Sequence, residues 1–82
     1  MSAKDFLTLI VEALVINKED IVIEQKEDEL GTLVTLKVNK EDMKTIIGRE
    51  GNTISAIRTV LRVYGSKQGA RVNLKVLEDE SR

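Results

Sequence analysis

The run Ile46-Ile47-Gly48-Arg49-Glu50-Gly51-Asn52-Thr53-Ile54 constrains this chain more than any other, because two glycines enclose two charged residues between two apolar stretches. Upstream, Asn39 is placed to cap a short helix, with Asp42 at the position of a capping-box acid. Met43, Ile46 and Ile47 then stand at i, i+3 and i+4 and share a buried face. Gly48 stops that helix. A second helix starts around Asn52 or Thr53 and runs to about Tyr64, with Ile54, Ile57, Val60 and Leu61 as its apolar stripe. Two helices are thus joined by a very tight turn, Gly48-Arg49-Glu50-Gly51.

The elements around this pair follow from periodicity. Ser2 to Ile16 reads as a helix capped by Ser2 and favoured by Asp5 in its first turn, with Phe6, Leu9, Ile10, Ala13 and Leu14 at helical spacing. Ile21 to Lys26 and Thr32 to Val38 read as strands, joined by the charged reversal Glu27-Asp28-Glu29-Leu30-Gly31. In the second, Val34, Leu36 and Val38 fall on one face and Thr35 and Lys37 on the other. After the helix pair, Gly65 to Gly69 reads as a flexible loop bracketed by glycines. Val72, Leu74 and Val76 then alternate with Asn73 and Lys75 in a third strand. The charged tail from Glu78 to Arg82 is expected to fray. The order is α-β-β-α-α-β, and the 82 residues hold one domain. The expected class is α+β, with a three-stranded mixed sheet carrying all three helices on its apolar face; the crossover through the helix pair is long enough for parallel pairing.

Composition narrows the chemistry. The chain has no cysteine and no histidine. Disulfides, thiolate or imidazole metal sites and His-based catalytic triads are therefore excluded. No Walker-type loop and no nucleophile–base pair is visible, and Glu41 and Asp42 read as helix-start acids, so the expectation is a non-enzyme without a cofactor. No apolar stretch is long enough to span a bilayer and no secretory leader is apparent, which fits a cytoplasmic protein. The formal net charge is only −1, but it is unevenly distributed. Between positions 40 and 75 stand eight basic and three acidic residues, whereas positions 1–39 hold four basic and eight acidic ones. A basic segment of this kind is an electrostatic footprint for phosphate.

The loop has the chemistry to use that charge. Glycines without Cβ let a sugar-phosphate backbone approach the main chain. The second helix, starting at Asn52 and Thr53, leaves unpaired N–H groups beside the loop that favour an anion. Arg49 projects from the tip towards phosphate oxygens, and Ile47 and Ile54 flank the loop as an apolar wall for bases. Lys44, Arg58, Arg62, Lys67 and Arg71 are further candidates to line the path of such a backbone. With Phe6 and Tyr64 as the only aromatics, base recognition on an aromatic platform is not expected, and Tyr64 reads as packing.

The whole pattern, with Ala56-Ile57-Arg58-Thr59 following the G-x-x-G loop, resembles the KH family in its bacterial type II arrangement. It is most similar to the small stand-alone KhpA-type proteins. The resemblance implies a cytoplasmic, sequence-tolerant binder of single-stranded RNA, regarded as an RNA chaperone or post-transcriptional regulator. It also implies a homodimer, or a heterodimer with a larger KhpB/Jag/EloR-type RNA-binding protein in control of cell elongation. Carried over, the backbone clamp falls on Gly48, Arg49, Glu50 and Gly51, the groove between the helix pair and the strand from Arg71 to Leu77, and the variable loop on 65–69. Glu50 departs from the pattern, since its charge repels phosphate unless it turns away or pairs with Arg49. That departure and the acidic N-terminal half keep a second reading open: a KH-like protein-interaction module with weak or no RNA binding.

Overall fold

A computed structural model describes residues 2–77, so the tail expected over 78–82 lies outside the described residues. Helix α1 spans Ala3–Leu14. The Ser2 hydroxyl accepts from Asp5 N at 3.1 Å and the Asp5 carboxylate accepts from Ser2 N at 3.3 Å, a reciprocal capping box. The buried stripe is Ala3, Leu7 and Val11, continued by Val15, with Phe6 and Ile10 half-buried. It is rotated from the expected face, and Leu9 and Leu14 are exposed. The helix is apolar on most of its circumference, so periodicity alone allows overlapping stripes and the sheet selects between them.

Strands β1 (Val22–Asp28) and β2 (Gly31–Lys37) pair antiparallel from Val22–Lys37 to Asp28–Gly31. Only Glu29 and Leu30 remain as the turn, tighter than the five-residue reversal expected from sequence. The Asp28 carboxylate accepts from Leu30 N at 2.8 Å and closes it. Strand β3 (Val72–Val76) runs parallel to β2, giving a mixed sheet of order β1-β2-β3. Ile23, Val34, Leu36, Val72 and Leu74 point from one face into a core shared with the helices.

A 3-10 turn, Lys40–Asp42, leads into the single-turn helix α2 (Met43–Ile47), and α3 spans Asn52–Lys67. Asn39 caps the entry as expected, its side-chain oxygen accepting from Glu41 N at 2.7 Å. Two features of α3 differ from expectation. Val60 is 43% exposed, and the buried stripe is Ile54, Ile57, Leu61 and Gly65. The helix also continues through Gly65, so the 65–69 stretch is largely helix end rather than flexible loop. Gly65 is there for packing: a Cβ would lie 2.5 Å from Val72 Cγ2. Tyr64 stacks on Phe6 with ring centroids 4.9 Å apart, joining α3 to α1 as a packing residue.

Candidate nucleic-acid interface

Between α2 and α3 the backbone makes a turn that few sequences tolerate. Gly48 stands at φ 78°, ψ 176° and Gly51 at φ 78°, ψ 12°. Glu50 between them is left-handed too, at φ 55°, and is the one non-glycine residue with positive φ among the described residues. The turn is closed by Gly48 N donating to Lys44 O at 2.8 Å and Gly51 N to Gly48 O at 3.2 Å.

The two glycines serve different ends. A Cβ on Gly48 would collide with the side chain and backbone N of Thr53, so Gly48 is what lets α2 and α3 approach. At Gly51 nothing lies within 4 Å of a Cβ position, so one side of its main chain is open. No side chain caps the start of α3; the turn runs straight into the helix instead, with Asn52 N donating to Arg49 O.

Next to the loop is an open groove of about 520 Å³ lined by Met43, Lys44, Ile47, Gly48 and Arg49. Four of the sequence-derived candidates therefore meet in one place: Lys44 and Arg49 exposed, Ile47 half-buried on the wall, and Gly48 beneath. Glu50 and Asn52 are exposed at the tip and at the first position of α3. Arg49 and Glu50 form no ion pair. Thr53 is half-buried against Gly48, and Ile54 is in the core, with little surface left for a base. Arg58, Lys67 and Arg71 are exposed but outside the lining of this groove, which belongs to α2 and the loop rather than to β3.

Asp42 was expected as a capping-box acid and is not one. It is 2% exposed, and its carboxylate accepts from Ile16 N, Asn17 N and Asn17 Nδ2, each at 3.0 Å. The hydrogen bond from Ile16, reinforced by those from Asn17 and outweighing the cost of burial, holds this carboxyl below the usual carboxylate range. No local pattern signals this role, because an acid at a helix start reads the same whether its partner is three residues or 26 residues away. Among the described residues, no cluster of acidic side chains could hold a metal ion, and no helix is long and apolar enough to cross a membrane.

The profile of the KhpA/KhpB KH-domain family matches residues 4–76. The RNA-binding protein KhpA of Chlamydia caviae is 39% identical over 77 residues, covering 94% of this chain and 99% of that protein. KhpA of Listeria monocytogenes is 36% identical over 75 residues, with 92% and 99% covered. KhpA of Aquifex aeolicus is 37% identical over 79 residues, with 95% and 100% covered.

Proposed function

The chain belongs to the KhpA/KhpB family of KH domains, and from that membership we propose that it binds single-stranded RNA, clamping the backbone at the Gly48–Gly51 loop. The observation that carries the reading is a loop open at Gly51, whose Gly48 and Arg49 line a groove together with Lys44. Phosphate is bound there against the open main chain at Gly51 and by two cations, and bases lie along Met43 and Ile47 without an aromatic platform. Glu50 lowers the affinity, since nothing in the loop neutralises it. Contacts of this kind read backbone rather than sequence, which suits an RNA chaperone or a post-transcriptional regulator in the cytoplasm, and involves no catalysis.

One KH groove holds about four nucleotides, so the working unit is a pair of grooves: a homodimer, or a heterodimer with a larger KhpB/Jag/EloR-type protein in the control of cell elongation. Two linked grooves gain avidity through effective concentration. Support comes from Val60 and Val63, which leave 43% and 53% of their surface exposed on α3. Sedimentation equilibrium at micromolar concentration, with and without RNA, tests self-association. A strict monomer in both conditions, with no partner recovered from extract, overturns it.

The clamp is tested by replacing Arg49 and Glu50 together with aspartate. Both side chains are exposed, so circular dichroism stays that of the wild type while RNA gel shifts disappear. Unchanged binding by the folded double variant refutes the assignment of the loop.

A further inference from the structure

We infer that Asp42 is a positioning residue for the Gly48–Gly51 loop, acting through α2; this rests on the clamp reading above. Helix α2 has five residues, far below the length at which a helix holds its own shape in water. Its orientation must come from contacts at its two ends and along its buried side. Ile46 supplies the buried side, being fully buried. Gly48 against Thr53 supplies the loop end. Asp42, directly before Met43, supplies the other end.

That anchor reaches across the chain. Asp42 takes three hydrogen bonds from Ile16 and Asn17, in the segment between α1 and β1. Asn17 Nδ2 also lies 3.3 Å from Glu41 Oε1, and Asn39 Nδ2 donates to Asp20 Oδ2 at 2.8 Å. The segment Asn17–Asp20 is thereby tied side chain by side chain to Asn39–Asp42. A buried carboxylate with three donors has one favourable placement, because moving it strands charge and donors together. Because so short a helix takes its orientation from its anchors, a shift at Asp42 is passed on to Lys44, Ile47 and Gly48, which line the groove.

The test is a binding cycle with single-stranded oligoribonucleotide on wild type, Asp42→Asn, Arg49→Ala and the double variant, at a temperature where circular dichroism shows all four folded. Asp42→Asn is expected to weaken RNA binding by about twofold to thirtyfold, the range of mutations that act through a packed network. In the Arg49→Ala background the same change is expected to weaken it by a clearly smaller factor, because part of what Asp42 positions is already gone. A purely structural role gives the same factor in both backgrounds, and that result overturns the inference. An RNA-free readout accompanies it: the amide resonances of Gly48 and Gly51 shift in Asp42→Asn while those of the hairpin turn at Glu29 and Leu30 stay in place. Unmoved Gly48 and Gly51 resonances in a folded variant also overturn it. Should Asp42→Asn not fold, Asn17→Ala removes one donor of the three and carries the same expectations in smaller measure. If the wild type itself binds no RNA, the clamp reading fails, and the resonance shifts alone decide whether Asp42 positions the loop.

Discussion

Replacing each loop glycine by alanine separates what the fold needs from what a ligand needs. At Gly48 the backbone lies at φ 78°, ψ 176°, a region that is essentially glycine-only and costs a side chain about 1–3 kcal/mol. The added methyl also meets Thr53 Cβ at 2.5 Å and Thr53 N at 2.8 Å. Overpacking of that order costs a further 1–3 kcal/mol, roughly. Gly48→Ala should therefore destabilise by about 2–6 kcal/mol, against about 4–12 kcal/mol for a whole domain of this length. Gly51 is at φ 78°, ψ 12° with open space beside it, so Gly51→Ala bears only the left-handed penalty of about 1–2 kcal/mol. Urea denaturation followed by circular dichroism checks both. With a slope of about 1 kcal/mol per molar for a small protein, Gly51→Ala lowers the midpoint by about 1–2 M, and Gly48→Ala lowers it further or leaves no cooperative transition. In RNA gel shifts Gly51→Ala should be defective while folded, since its methyl occupies the open approach. Equal midpoint shifts for the two variants, or a larger shift for Gly51→Ala, would refute the division of roles.

Three further outcomes are expected. A double-mutant cycle of Phe6→Leu and Tyr64→Leu should return a coupling of about 0.5–1.5 kcal/mol from the ring stack, with RNA affinity unchanged; zero coupling in denaturant titrations would mean the stack contributes no more than area. Asp42 is held below its ordinary value, about 4 for aspartate, so its hydrogen bonds stabilise the fold above that pH and are lost as pH falls through the lowered value; urea midpoints of Asp42→Asn should accordingly fall less steeply than wild type below about pH 5, and parallel curves would disprove it. Glu50→Lys should raise RNA affinity at low salt and steepen its salt dependence, and an unchanged affinity would show that Glu50 points away from the bound strand.

Where the sequence was legible, local chemistry and tertiary structure agree. The cap of α1 at Ser2, the alternation of Val34 and Leu36, the cap at Asn39 and the glycine pair all rest on interactions within a few residues, and each stands as read. Where reading and structure differ, a distant partner decides. The buried face of α1 depends on which of several apolar residues meets the sheet. Val60 reads as core by spacing but turns outward, because Gly65 completes the stripe with Ile57 and Leu61. Gly65 itself looks like loop chemistry until Val72 is placed against it. Among the site residues, Lys44, Ile47, Gly48 and Arg49 meet in one groove because they are neighbours along one turn of chain. Arg58, Lys67 and Arg71 share their charge but not that location, and charge alone carries no coordinates.

The loop is held through α2, and this bears on how an acidic residue persists in it. Glu50 adopts a left-handed conformation that costs about 1–2 kcal/mol, without an ion pair to Arg49 in return. Such strain survives only where the surroundings over-determine the backbone. Here Gly48 is pressed on Thr53 at the loop end of α2, and Asp42 pins the other end of that helix. A loop fixed in this way has little ordering left to do when a strand arrives, and association is spared that entropic cost. On the proposed clamp reading, backbone pre-organisation would offset part of the repulsion that Glu50 exerts on phosphate, and a chain with a net charge of −1 could still bind an anion there. Geometry, rather than the sum of charges, is then expected to set the affinity of the proposed clamp.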